Sequence, residues 1–80
     1  MEISANFKRV LKRFGYSYLC TYPIGQSFTN DSNKSLLINV EHGNDWSIFN
    51  KGEKIAQGAG SPDLEVILSL KAKEVKNGYR

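Results

Sequence analysis

Residues 34–41 alternate between apolar and polar side chains, and this alternation restricts the possible folds more than any other stretch. Leu36, Ile38 and Val40 recur at every second position, so a strand places all three on one face. The opposite face is mostly polar, with Leu37 as its apolar member. Turn-forming Asn, Asp and Gly residues flank the stretch on both sides. One dry face and one wetter face are typical of an antiparallel sheet that is covered on a single side.

Two amphipathic helices are predicted at the ends of the chain. Ser4 suits an N-cap, and the apolar residues that follow it recur at helical spacing up to Phe14. Gly15 then offers a left-handed end to the helix. The run Ser61-Pro62-Asp63 predicts the start of the second helix, because Ser caps, Pro presets φ and Asp faces the positive end of the helix dipole. A short flexible tail is expected over residues 77–80.

Three or four strands are predicted between the helices. The first covers residues 16–24, and residues 26–29 are expected to continue it beyond a bend at Gly25. Gly58 is expected to break the last strand, and a tight hairpin turn is predicted just before that strand. The remaining strands are predicted at residues 34–41, 46–50 and 54–57.

The predicted fold is α+β, in the order α-β-β-β-(β)-α, with an antiparallel meander sheet and both helices packed on one of its faces. It is a single domain that covers all 80 residues. In the first strand, alternation places Tyr18, Cys20 and Tyr22 on the helix side and Leu19 on the other. Whether Trp46 joins the core depends on the register of its strand. The predicted core consists of Phe7, Val10, Leu11, Phe14, Tyr18, Leu36, Ile38, Val40, Leu64, Ile67 and Leu68.

Composition narrows the class of protein. With 40 % hydrophobic and 24 % charged residues, the chain has the balance of a globular domain. Its single cysteine rules out a disulfide within one chain, which favours a reducing compartment and predicts a cytoplasmic protein. The first ten residues contain no continuous apolar run, so we expect neither a signal peptide nor membrane association. The net charge of +3 permits an acidic partner without requiring one.

Residues with catalytic or metal-binding chemistry are few. One histidine, His42, and one thiol, Cys20, are too few for a structural zinc site, so neither a metal nor a cofactor is expected. A Cys20–His42 nucleophile pair is a minor alternative to an apolar role for the thiol. The glycine-rich residues 58–61 lack the Lys and Ser/Thr spacing of a phosphate-binding loop. We therefore expect a protein that is not an enzyme.

Two kinds of surface are candidate binding sites. The sheet face away from the helices is predicted to present apolar residues, and the outer faces of the helices are predicted to be basic. The basic residues either keep the helix surfaces hydrated or bind phosphates, and the sequence is compatible with both interpretations. The candidate residues are Leu19, Leu37 and Phe49 on the sheet, Lys8, Arg9, Lys12 and Arg13 on the first helix, and Lys71, Lys73 and Lys76 on the second.

The order α-β-β-β-α in a short basic chain resembles two families, the double-stranded-RNA-binding domain and the HicA-type toxin ribonuclease. The first resemblance implies a phosphate-binding lysine cluster where this chain reads Pro62-Asp63-Leu64-Glu65, and the two carboxylates there repel phosphate. The second implies a histidine after a Gly-Ser pair, where this chain reads Gly25-Gln26-Ser27-Phe28. No functional residue is carried over from either family.

The leading functional hypothesis is a non-enzymatic binding module that docks on a protein partner. Small chains without catalytic motifs are typical of the inhibitors and regulators that phages and mobile elements direct at host machines, including anti-defence and anti-CRISPR proteins. The alternative is a nucleic-acid-binding protein that uses the basic helix faces. A HicA-like ribonuclease is a weaker alternative. The open sheet face also suits a homodimer.

Overall fold

A computed structural model describes residues 3–78, with side chains described up to residue 71. Its five strands form one antiparallel sheet in the order β1-β2-β3-β4-β5, with one helix at each end of the chain. The predicted α+β meander is therefore confirmed, with five strands where three or four were predicted. In chain order the elements are α1 (Ala5–Arg13), β1 (Tyr16–Tyr22), β2 (Gly25–Asn30), β3 (Leu36–Glu41), a 3-10 turn (His42–Asn44), β4 (Asp45–Asn50), β5 (Glu53–Ala59) and α2 (Ser61–Gly78).

The extra strand arises because residues 16–30 form a hairpin, so the prediction of one long strand was wrong. Tyr22 lies opposite Gly25, and the two residues between them form the turn. Apolar alternation does not mark a two-residue turn, because the period of two continues on both sides of it. Gly25 has little room for a side chain, since a Cβ there would collide with the carbonyl oxygen of Val40 on β3. This close approach explains why glycine begins β2.

The first helix agrees with its sequence signals. The Ser4 hydroxyl accepts a hydrogen bond from the amide of Phe7, at 3.3 Å, and so acts as the predicted N-cap. Phe7, Val10 and Leu11 are buried. Gly15 follows the helix with φ of +84°, a conformation that favours glycine. The helix thus begins and ends where its local chemistry predicts.

The core lies between both helices and one face of the sheet. Ile38 on β3 lies opposite Ile48 on β4, and Val40 lies opposite Trp46. All four side chains are almost fully buried, so Trp46 and Ile48 belong to the core. Leu64 and Leu68 of α2 join the same cluster. The predicted core residues Phe14, Leu36 and Ile67 pack at its margin.

A bulge in β1 overturns part of the predicted face assignment. Tyr18 lies opposite Phe28 and Cys20 lies opposite Ser27. Leu19 between them has no partner position on β2 and is the extra residue of the bulge. Beyond the bulge the alternation is shifted by one position. Cys20 and Tyr22 therefore lie on the face away from the helices, whereas Thr21 lies on the helix side. Tyr18 is 58 % exposed, and the prediction that it belongs to the core was wrong.

The last strand is longer than predicted, because Gly58 continues β5 instead of breaking it. Gly58 pairs with Trp46, and the strand ends only at Ala59. Asp63 Oδ2 then accepts a hydrogen bond from the Ala59 amide at 3.3 Å, which ties the start of α2 to the end of β5. The side chains of residues 72–78 and the whole of residues 79 and 80 lie outside the described part of the chain.

Candidate functional site

The sheet face opposite the helices is the main candidate site, and we call it the open face. A polar row crosses it through all five strands, with one residue contributed by each strand. The Ser27 hydroxyl donates a hydrogen bond to Asn39 Oδ1 at 2.6 Å within this row. Both helices pack on the other face, so the side chains here have no covering layer within residues 3–78. The polar row consists of Cys20, Ser27, Asn39, Ser47 and Gln57.

An apolar pair lies on one side of the polar row. Leu37 on β3 lies directly opposite Phe49 on β4, and both side chains are half-buried. They line a shallow hollow of about 340 Å³, together with Lys34 and Lys51 from the neighbouring turns. Lys54, on β5, lies opposite Phe49 of β4. Its Nζ donates a hydrogen bond to Gln57 Oε1 at 2.9 Å. We call this basic and apolar region the lysine end.

An acidic region lies on the other side of the polar row. Glu41 lies on the open face two residues after the row member of β3, and Asp45 lies on it two residues before the row member of β4. Tyr22 reaches across the bare backbone of Gly25 and donates a hydrogen bond to Glu41 Oε2 at 3.4 Å. Burial raises the pKa of Tyr22, and the adjacent Glu41 carboxylate raises it further. We call this region the acid end.

The structure separates Leu19 from the other two predicted apolar site residues. Leu37 and Phe49 are direct neighbours, whereas Leu19 lies in the bulge of the edge strand β1, with β2 between it and Leu37. The side chain of Leu19 is 52 % exposed. The structure therefore brings Leu37 and Phe49 together and keeps Leu19 apart from them.

Sequence reasoning missed the charged residues around the apolar pair. Lys34, Lys51 and Lys54 come from two turns and an edge strand, and only strand register brings them together. The signal available in the sequence was the hairpin turn after β4. Lys51 and Gly52 both have positive φ there, as a tight two-residue turn requires, and this fixes which residue lies opposite Phe49.

The basic residues of α1 form a second candidate surface. Lys8, Arg9, Lys12 and Arg13 are all exposed, and α1 contains no acidic residue. Lys8 and Lys12 are one helical turn apart, as are Arg9 and Arg13. Like charges at this spacing each cost about 0.2–0.5 kcal/mol of helix stability. An acidic partner would relieve this repulsion.

The second helix contributes less basic character near α1. Arg13 pairs with Glu65 of α2 at 2.6 Å, so an acidic residue stands where the two helices meet. Lys71 is half-buried, and the side chains of Lys73 and Lys76 lie outside the described part of the structure. The predicted merging of two basic faces into one positive surface therefore finds no contribution from α2 at this contact.

The minor catalytic alternative gains nothing from the geometry. Cys20 lies in the polar row of the open face and is exposed, not buried among apolar residues. His42 belongs to the 3-10 turn after β3, not to a strand. Among the described residues, no three His, Cys, Asp or Glu side chains lie close enough to hold a metal ion. Within residues 3–78, neither helix is long and apolar enough to cross a membrane.

No protein-family model matches this chain, and no curated protein and no solved structure matches it either. The five-stranded order also departs from the α-β-β-β-α order on which the resemblance to RNA-binding domains and HicA-type toxins rested. Functional proposals therefore depend on the geometry of the open face and of α1.

Proposed function

We propose that this protein is a small non-enzymatic binding module that docks on a protein partner through its open face. The observation that carries the proposal is the direct pairing of Leu37 with Phe49 on a sheet face that neither helix covers. Protein interfaces commonly place such an apolar anchor at the centre and polar or charged groups around it. The lysine end has this arrangement.

The charges around the anchor indicate the kind of partner. Lys34 and Lys51 line the hollow with Leu37 and Phe49, and among the described side chains none that lines it is acidic. Opposite charges across an interface steer association and select partners. The partner surface is therefore expected to carry carboxylates opposite these lysines. An inhibitor or regulator of a host machine, of the kind that phages encode, is the form of this activity that we propose for a chain of 80 residues. The exposed thiol of Cys20 suits the reducing cytoplasm.

Affinity capture from the host cell, after nuclease treatment, tests the proposal. The tagged wild-type protein is compared with Leu37→Asp, which places a charge in the apolar anchor. Val66→Asp is the matched control, because Val66 is 56 % exposed on α2 and away from the open face. We expect a stoichiometric protein that the wild type and Val66→Asp retain and Leu37→Asp loses. A partner retained equally by all three folded proteins would remove the open face from the interaction.

A second candidate function is nucleic-acid binding through α1. The specific observation in its favour is the set of four exposed cations on a helix of nine residues that has no acidic residue. Phosphate contacts by Lys and Arg supply sequence-independent affinity, and this affinity falls steeply with salt. Only Arg13 of the four is engaged in an ion pair within the described side chains.

Titration with duplex and single-stranded nucleic acid at low salt tests this second function. We expect the double variant Lys8→Glu, Lys12→Glu to weaken binding and to reduce the slope of log affinity against log salt concentration by about one to two. Lys54→Glu on the sheet is the control and leaves binding by α1 unchanged. Binding that does not depend on salt would contradict phosphate contacts. Cleavage of the RNA during the titration would instead support the HicA-like ribonuclease alternative.

A further inference from the structure

We propose that the open face binds a second copy of this chain face to face, with the lysine end of each copy on the acid end of the other. This inference rests on the proposed function, because it uses the same docking face. It names the occupant of that face in the free protein, which a host partner would displace. The two copies are related by a two-fold axis that runs across the strands along the polar row. Each strand then faces the same strand of the second copy, running in the opposite direction.

The spacing of the two ends supports this axis. On β3, Leu37 and Glu41 lie two residues on either side of Asn39, a member of the polar row. On β4, Phe49 and Asp45 lie two residues on either side of the corresponding row member. Rotation about the row therefore exchanges the two ends. It places the apolar anchor and its lysines over the carboxylates of the second copy.

The charges on the open face favour this axis over a two-fold axis that runs parallel to the strands. A two-fold axis parallel to the strands would place the lysine end on the lysine end of the second copy. Lys34, Lys51 and Lys54 of both copies would then lie at the same end of the interface, where like charges repel. The axis along the polar row instead opposes those lysines to Glu41 and Asp45.

The available area indicates a weak dimer. Five strands spaced about 4.8 Å apart and about 20 Å long give a face of about 480 Å², or roughly 1,000 Å² buried over both copies. This lies at the lower bound for a specific interface, so we expect a weak and reversible dimer. Association through the sheet edges is less favoured, because the bulges at Leu19 and Ile55 interrupt both edge strands.

Sedimentation equilibrium of the full chain at low and high salt tests the proposal. We expect a monomer–dimer equilibrium that weakens as salt rises. The pair Lys34→Glu, Lys51→Glu and the pair Glu41→Lys, Asp45→Lys each weaken self-association by roughly tenfold or more. Mixing the two variants restores it, which also shows that both are folded. Lys12→Glu on α1 is the control and has no effect.

Cross-linking at Cys20 tests the position of the axis. Cys20 lies in the polar row on β1, so the proposed axis places the two Cys20 residues across from each other, between sheets about 10 Å apart. A short bismaleimide is expected to join two chains in the wild type and not in Leu37→Asp.

Each contrary result has a distinct meaning. A dimer strengthened by salt, or swapped variants that fail to restore each other, would overturn the opposed-charge arrangement. A monomer at all concentrations would overturn the dimer altogether. In that last case, a different captured protein that Leu37→Asp loses would leave the proposed docking function standing.

Discussion

Gly58 lies directly opposite Trp46, and the Trp46 ring fills the space that a side chain at Gly58 would occupy. A Cβ built at Gly58 would lie 2.5 Å from Trp46 Cζ2 and would also collide with the Asp63 carboxylate. The Trp46 indole in turn donates a hydrogen bond to the carbonyl oxygen of Gly60, at 3.2 Å. One aromatic side chain thus joins β4 to β5 and to the turn that leads into α2.

Gly58→Ala is expected to lower the free energy of unfolding by about 1–3 kcal/mol, because the added methyl group forces the buried indole or the backbone to shift. Urea unfolding followed by Trp46 fluorescence measures the change. Gln57→Ala, one residue earlier and exposed, is the matched control and should stay within about 0.5 kcal/mol of the wild type. Equal stability of the two variants would show that the Trp46 contact is not tight.

Ser4→Ala is expected to cost about 1 kcal/mol of stability, because the first turn of α1 loses the side-chain acceptor for the Phe7 amide. Ser4→Asp keeps an acceptor at the same position and adds a charge that the helix dipole favours. Thermal unfolding of both variants provides the comparison. A Ser4→Asp protein as unstable as Ser4→Ala would argue against capping as the role of Ser4.

The Arg13–Glu65 ion pair is expected to contribute little to stability, although its nitrogen and oxygen are 2.6 Å apart. The two side chains are 63 % and 43 % exposed, so water and salt screen their attraction. A double-mutant cycle with Arg13→Ala and Glu65→Ala should give a coupling of about 0.2–1 kcal/mol that shrinks in high salt. A coupling that salt leaves unchanged would mean that the pair is better shielded than its exposure indicates.

Stability is expected to fall at high pH because of two tyrosines. Burial raises the pKa of Tyr16, and burial with the Glu41 carboxylate raises the pKa of Tyr22. A raised pKa in the folded state means that the phenol proton is held more tightly there than in the unfolded chain. The resulting stabilisation is fully present below pH about 10 and is lost as pH rises through the folded-state values.

Urea unfolding across this pH range, with ultraviolet absorbance of the phenolate, tests the tyrosine prediction. Tyr22→Phe removes one of the two titrating groups, so its stability should decline less steeply than that of the wild type. Glu41→Gln removes the neighbouring carboxylate and should lower the pKa of Tyr22. A decline of the same slope in Tyr22→Phe would mean that its phenol does not differ between the folded and unfolded states.

The fold was predictable wherever one local signal acts alone. The alternation of Leu36, Ile38 and Val40 and the cap at Ser4 each depend on their own residues, and the structure agrees with both. The hairpin and the bulge were not predictable in this way. A two-residue turn preserves the period of two, and the extra residue Leu19 is evident only from the pairing of β1 with β2.

The candidate site was predictable in part for the same reason. Leu37 belongs to the polar face of its strand by alternation, and the structure places it on the open face as predicted. Its position opposite Phe49 and the lysines near it depend on the register between strands and on the type of hairpin turn. Sequence alone therefore placed Leu37 on the open face but did not predict the charged residues around it.

Two neighbouring residues on β3 test the two faces of the sheet, on which the docking and dimer proposals depend. Ile38 is fully buried in the core, and Leu37 lies on the open face. Circular dichroism and urea unfolding of Ile38→Asp and Leu37→Asp give the most direct measurement. We predict that Ile38→Asp loses the folded state, because it buries an unpaired charge, whereas Leu37→Asp folds with a loss of about 1 kcal/mol or less. Unfolding of Leu37→Asp, or a folded Ile38→Asp, would contradict the account.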